Sequence, residues 1–186
     1  MNDLTPGFTS AFEAQSCFRA ILDAFSTPGH PVPLPVYLAP PPGLSAACAS
    51  VLLTLADTHT KVALPKDSPA QNWLTFHTGA PAAETAIADF CVATSPPPFA
   101  CLLQGTDAEP ENSATLILEV EQFSGSAFKL SGPGLKDTAT VSLPLNASFL
   151  ADWHSQVSKA PLGVDVILCA GNQILALPRS VQIMEA

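Results

Sequence analysis

The most constraining feature of this chain is a set of short apolar runs that are too short for core helices and too continuous for strands with one wet face. ATLILEVEQF, residues 114 to 123, has an unbroken apolar run from Leu116 to Leu118 that resumes at Val120 after Glu119. DFCVATSP at 89 to 96 reads as a second buried strand, and VDVILCAG and QILALP as a terminal hairpin turning at Ala170-Gly171-Asn172. KVAL at 61 to 64, AFKLSGPG as a hairpin partner of the 114–123 strand, and ATVSLP are further short strands. Strands of this kind need cover on both faces, which helices supply.

The helices lie early and late. Thr9 or Ser10 caps the first, with Glu13 at the capping-box distance from Ser10. Phe8, Phe12, Phe18, Ile21, Leu22 and Phe25 recur at helical spacing and predict its buried face. Residues 43–57 predict a second helix packed on both sides. Ser68-Pro69 predicts the start of a third that reaches about Phe76, with Phe76 buried. Residues 145–159 predict a fourth, with Phe149, Leu150, Trp153 and Val157 on one face, and PPPFACLLQG a short helical turn. HPVPLPVYLAPPPG, residues 30 to 43, is too rich in proline for a central strand and predicts an extended edge segment. Some connections are helical crossovers and others hairpins. The fold class is therefore α/β, a mixed sheet flanked by helices, in one domain over 1–186.

Charge narrows the function. Charged residues are 12% of the chain, against a usual share of about 25%, so part of the surface is expected to be covered by a partner chain. Net charge is −9 and the seven cations are scattered, which excludes a nucleic-acid footprint. A phosphorylated ligand would need positive field from a partner or a metal. Five cysteines with wide spacing and no C-x-x-C pair read as reduced, buried, cytosolic thiols. No basic and apolar leader is evident at the start, and no apolar run approaches a membrane span.

Catalytic signatures are absent. There is no G-x-x-x-x-G-K-[ST], G-x-G-x-x-G or G-x-S-x-G, and SGPGL at 131 to 135 reads as a turn. The four histidines lack metal-ligand spacing, so no metal is expected. Six residues remain as candidates for a pocket or an interface. His77 and Thr78 lie in TFHTGAP, which otherwise reads as a turn. Asp57 and His59 offer a carboxylate and an imidazole, or else terminate a helix. Arg179, after an apolar strand, can reach an anion or a carboxylate; Arg19 can snorkel or pair across a subunit interface. An enzyme reading, a small transferase or hydrolase, would place its pocket near His77, Asp57 and Arg179.

A series of stretches resembles the PhnH family, the H subunit of the bacterial carbon–phosphorus lyase system. They are AQSCFRAILDAFSTPG, SVLLTLADTHT, LTFHTGAP, GTDAEPENSATLILEV, LSGPGL and PLGVDVILCAGNQILALPRSV, in the family's order along nearly the whole chain. The resemblance implies a three-layer α/β fold similar to PLP-dependent transferases but without a PLP site, and hence no cofactor. It implies a cytoplasmic homodimer that joins the G, I, J and K subunits and, with the G, I and L proteins, supports formation of alkylphosphonate ribose triphosphate from ATP and an alkylphosphonate. It carries no catalytic residue onto this sequence. No lysine stands in a recognisable Schiff-base context, so PLP chemistry has fold analogy alone behind it.

Overall fold

The computed structural model describes residues 5–186. Its centre is a six-stranded mixed sheet. Strands β2 (Val62–Ala63), β3 (Phe90–Ala93), β4 (Thr115–Glu119) and β7 (Asp165–Ala170) run parallel in that order. β8 (Gln173–Leu177) returns antiparallel beside β7, and β1 (Val32–Pro33) closes the edge against β8. The proline-rich segment is thus an edge strand, as its missing N–H donors require. The terminal hairpin forms through Gly171, whose φ of 57° suits the tight turn.

Helices α1 (Ala11–Ser26), α2 (Ala46–Leu55) and α3 (Gln71–Thr78) cover one face of this sheet. The other face carries α4 (Ala147–Val157) and a second antiparallel sheet. That sheet contains β5 (Ser126–Ser131) between β6 (Ala139–Leu143) and β9 (Gln182–Glu185). Strand alternation divides the two cores. Ile117, Ile167 and Cys169 face α1 to α3; Leu116, Leu118, Val166 and Leu168 face α4. On the α4 side, Phe149 stacks on Trp153 at 5.7 Å, and Phe99 meets both edge-on. The Trp153 indole donates to the Val181 carbonyl at 2.9 Å, so a large buried ring keeps its polar group satisfied.

Local signals set the helix ends. At α1, Ser10 accepts from the Glu13 N–H, and the Glu13 carboxylate reaches back to the N–H and hydroxyl of Thr9. Asn146 caps α4 through the Phe149 N–H at 2.8 Å. At α3, Ser68 does not cap as expected. The helix begins later, after Ala70, and the Ser68 hydroxyl accepts from the Ala70 N–H at 3.3 Å. The helix also runs on to Thr78 and closes at Gly79 in the left-handed region.

Four further expectations fail. The buried face of α1 is Cys17, Ala20, Ile21 and Ala24, while Phe12, Phe18 and Leu22 face solvent. Small side chains let α1 approach α2 and the sheet closely. Phe76 is 71% exposed, because Trp73 and Leu74 are the α3 residues turned inward. β5 is no hairpin partner of β4: β3 and β7 already occupy both edges of β4, so β5 pairs with β6 and β9. Finally, Cys101 is exposed on the turn after β3, whereas the other four cysteines are buried.

Candidate functional site

The predicted residues separate into three places. Asp57 and His59 lie in the turn from α2 to β2. The Asp57 carboxylate accepts the N–H groups of His59 at 2.8 Å and Thr60 at 3.1 Å, and Thr60 Oγ1 accepts the Asp57 N–H at 2.6 Å. The His59 N–H is the main cause of an Asp57 pKa below the usual carboxylate value. His77 and Thr78 end α3 beside this turn: a Cβ added at Gly79 would stand 2.6 Å from Thr58 Cγ2. His77 Nε2 bonds the Thr5 carbonyl at 3.1 Å, and the Trp73 indole donates to the same carbonyl at 2.7 Å. The His77 ring packs at 5.0 Å from both Trp73 and Phe76, and Gly7 lies against it so closely that a Cβ there would be 2.8 Å from Nδ1. Thr78 Oγ1 donates to the Leu74 carbonyl and accepts the Ala80 N–H. These side chains fasten the N-terminal segment and close a helix.

Arg179 sits elsewhere, at the start of β7. Its guanidinium meets the Asp165 carboxylate at 2.6 Å and the Pro110 carbonyl at 2.9 Å, while its N–H donates to the other Asp165 oxygen at 2.7 Å. With β4 and β3 between β7 and β2, Arg179 lies about 14 Å across the sheet from the 57–60 turn. Arg19 stands on the exposed face of α1. The structure therefore brings Asp57, His59, His77 and Thr78 into one neighbourhood and leaves both arginines outside it.

A cleft opens at the opposite ends of the strands. It has a volume of 630 Å³ and opens where β3 and β4 finish, lined by Thr94, Pro96, Glu119, Glu121, Gln122 and Ser124 among others. Ligands of open α/β sheets bind outside the carboxyl ends of parallel strands. None of the six predicted residues lines this cleft. One signal in the sequence marks it: Glu119, a carboxylate set at the end of the buried strand β4.

Glu119 also explains what the cleft does not do. The N-terminus of α2 points to the same end of the sheet, the usual place for a phosphate. Here Glu119 Oε1 accepts the Ser45 N–H at 2.7 Å, Gly171 O accepts the Ala47 N–H at 2.9 Å, and Ser45 Oγ accepts the Cys48 N–H at 3.1 Å. The protein's own oxygens take the donors that a phosphate would use, and the carboxylate repels one. Behind Glu119, the hydrogen bond to the Cys169 thiol, followed by burial, drives the pKa of the Cys48 thiol far above its ordinary value, so the thiol stays protonated. Both thiols belong to the core.

The model of the family described as bacterial phosphonate metabolism protein (PhnH) matches residues 6–184. The chain belongs to the PhnH family. It is 37% identical over 182 residues to the alpha-D-ribose 1-methylphosphonate 5-triphosphate synthase subunit PhnH of Rhizobium meliloti (strain 1021), covering 92% of this chain and 90% of that one. It is 31% identical over 179 residues to a Stutzerimonas stutzeri protein provisionally assigned as C-P lyase subunit protein HtxG, covering 91% and 85%. As a PhnH-family chain it is a relative of subunits of the carbon–phosphorus lyase system, and among its described residues no helix is long and apolar enough to cross a membrane.

Proposed function

We propose that this chain is an accessory subunit of a carbon–phosphorus lyase assembly. In that role it supports formation of alkylphosphonate ribose triphosphate from ATP and an alkylphosphonate without carrying the reacting groups itself. Its partners are then the G, I, J and K subunits and, as a homodimer, a second copy, in the cytoplasm. The observation that carries this reading is the N-terminus of α2. Glu119 and neighbouring oxygens hold the amides that would bind a triphosphate, so the phosphate-binding charge has to come from other subunits. The names of the relatives, both subunits, point the same way. The three-layer order of helices, sheet, and helix with small sheet supports kinship with the fold of PLP-dependent transferases.

Tagged protein purified from phosphonate-grown cells tests the role. The expected result is co-purification of the G, I, J and K subunits, with growth on methylphosphonate lost on deletion. A tagged chain that emerges alone, in cells whose deletion strain still grows on methylphosphonate, contradicts it.

A further inference from the structure

Among the described residues the two sheets have four edges, and three of them are closed. On the large sheet, β1 and its flanks carry Pro31, Pro33 and Pro35, which lack N–H donors. At the other edge of that sheet, Val62 accepts from Ala83 and donates to Pro81 across its bridge to Ala82. On the small sheet, the Val181 and Ile183 carbonyls along the β9 edge are met by the Trp153 and His154 rings of α4, at 2.9 and 2.7 Å. The fourth edge, β6, is open. The Ala186 N–H donates to the Ala127 carbonyl, so Ala127 and, by alternation, Lys129 turn their backbone groups toward β9. Phe128 and Leu130 then serve β6, through Val141 and Ala139. This leaves the N–H and C=O of Thr140 and Ser142 pointing outward, and nothing among the described residues bonds them. Both residues are exposed. No charge, proline or bulge falls within Ala139–Leu143 to blunt the edge.

Such an edge specifies its occupant. Donors and acceptors repeating at strand spacing fit an extended backbone. The surroundings specify more. Val141 and Leu143 lie on the inner face of the small sheet, so an added strand must be apolar on that side and polar on the other. Pro144, which follows β6, also lines the 630 Å³ cleft with Glu119, Glu121 and Ser124, and no lysine or arginine is among the lining residues. A basic side chain at that end of the added strand answers these carboxylates. A second copy does not. Its β6 laid antiparallel on the first, Thr140 against Ser142, sets Thr138 and then Asp137 beside Pro144, which adds a carboxylate to the acidic cleft. We propose that β6 is a docking edge for an extended segment of a partner subunit, alternately apolar and polar, that carries a basic residue into the cleft. The proposal rests on the accessory role above and names its surface.

Amide hydrogen exchange provides the test, on the full chain alone and in the assembly purified with tagged protein from phosphonate-grown cells. Thr140 and Ser142 are expected to exchange freely in the chain alone and about 100-fold or more slowly in the assembly. Ser142→Pro removes one outward N–H while sparing the ladder to β5, and is expected to cut capture of the partner subunits about tenfold. Glu121→Lys is expected to do the same. Glu111→Lys, an equal change of charge at the far end of the sheet, is expected to leave capture unchanged. Should Ser142→Pro fail to fold, exchange in the parent decides. Edge amides that stay fast in an intact assembly overturn the docking edge and leave the accessory role standing. Amides already slow in the chain alone overturn the partner segment, and their release on dilution makes the occupant a second copy. Glu121→Lys indistinguishable from Glu111→Lys overturns the basic residue. A chain that captures none of the G, I, J and K subunits overturns the accessory role and the docking edge together.

Discussion

The two ends of the central sheet differ in what their polar side chains do. At the amino ends of the strands, Asp57, Thr78, His77, Asp165 and Arg179 are bound to backbone groups or to each other within a few residues of a turn. At the carboxyl ends, Glu121, Gln122 and Ser124 line an open cleft beside a carboxylate that already caps a helix. Residue type attracts attention to the first end, whereas geometry gives the second room for a ligand or a partner's side chain. Functional candidates picked by chemistry alone therefore tend to be the residues that hold turns together.

The largest effect that can break this comparison is at the amino end. Asp165→Ala leaves the Arg179 guanidinium, four-fifths buried, with one carbonyl partner, and is expected to cost about 2–4 kcal/mol of stability. Chemical denaturation gives the value, and the variant that still folds should keep the assembly's activity. A loss of activity in well-folded protein would move function to this end. Next, Gly79→Ala forces a left-handed residue and a methyl group at 2.6 Å from Thr58 Cγ2, for about 1–2 kcal/mol by the same measurement. At the carboxyl end, Glu119→Gln should keep stability within about 1 kcal/mol, because an amide oxygen still accepts the Ser45 N–H. Activity of the reconstituted assembly should stay within about twofold of the parent, because the Ser45, Ala47 and Cys48 amides keep their oxygens. A large loss in well-folded protein would give the cleft a part in the reaction.

The smallest effect is at Glu13. The N–H of Thr9 holds its pKa below the ordinary 4.5, so its contribution is present above that pH and lost as the pH falls through the lowered folded value. The melting temperature of Glu13→Gln should sit no more than about 2 °C below the parent at pH 7, and the gap should close in acid.

Much of this architecture is legible in the residues. The capping pattern of Ser10 and Glu13, the edge prolines around Val32, and the Gly171 hairpin each follow from a local rule. Two things are not local. Periodicity marks α1 as a helix, but close packing chose its Ala and Cys arc over its aromatic one, and only neighbouring elements decide that. Likewise, the turn at Ser124-Gly125 announces a reversal without saying that both edges of β4 are taken. The cleft is non-local in the same sense: its lining comes from the ends of β3, β4 and β6, and Glu119 alone gave a hint of it.

The central claim is that this chain supports the transfer without catalysing it. ³¹P NMR of ATP and methylphosphonate tests it most directly, with this chain alone and then with the G, I and L proteins, present or omitted in turn. No product is expected from the chain alone, ribose 1-methylphosphonate 5-triphosphate from the full set, and none when the chain is left out. Product formed by the isolated chain would contradict it.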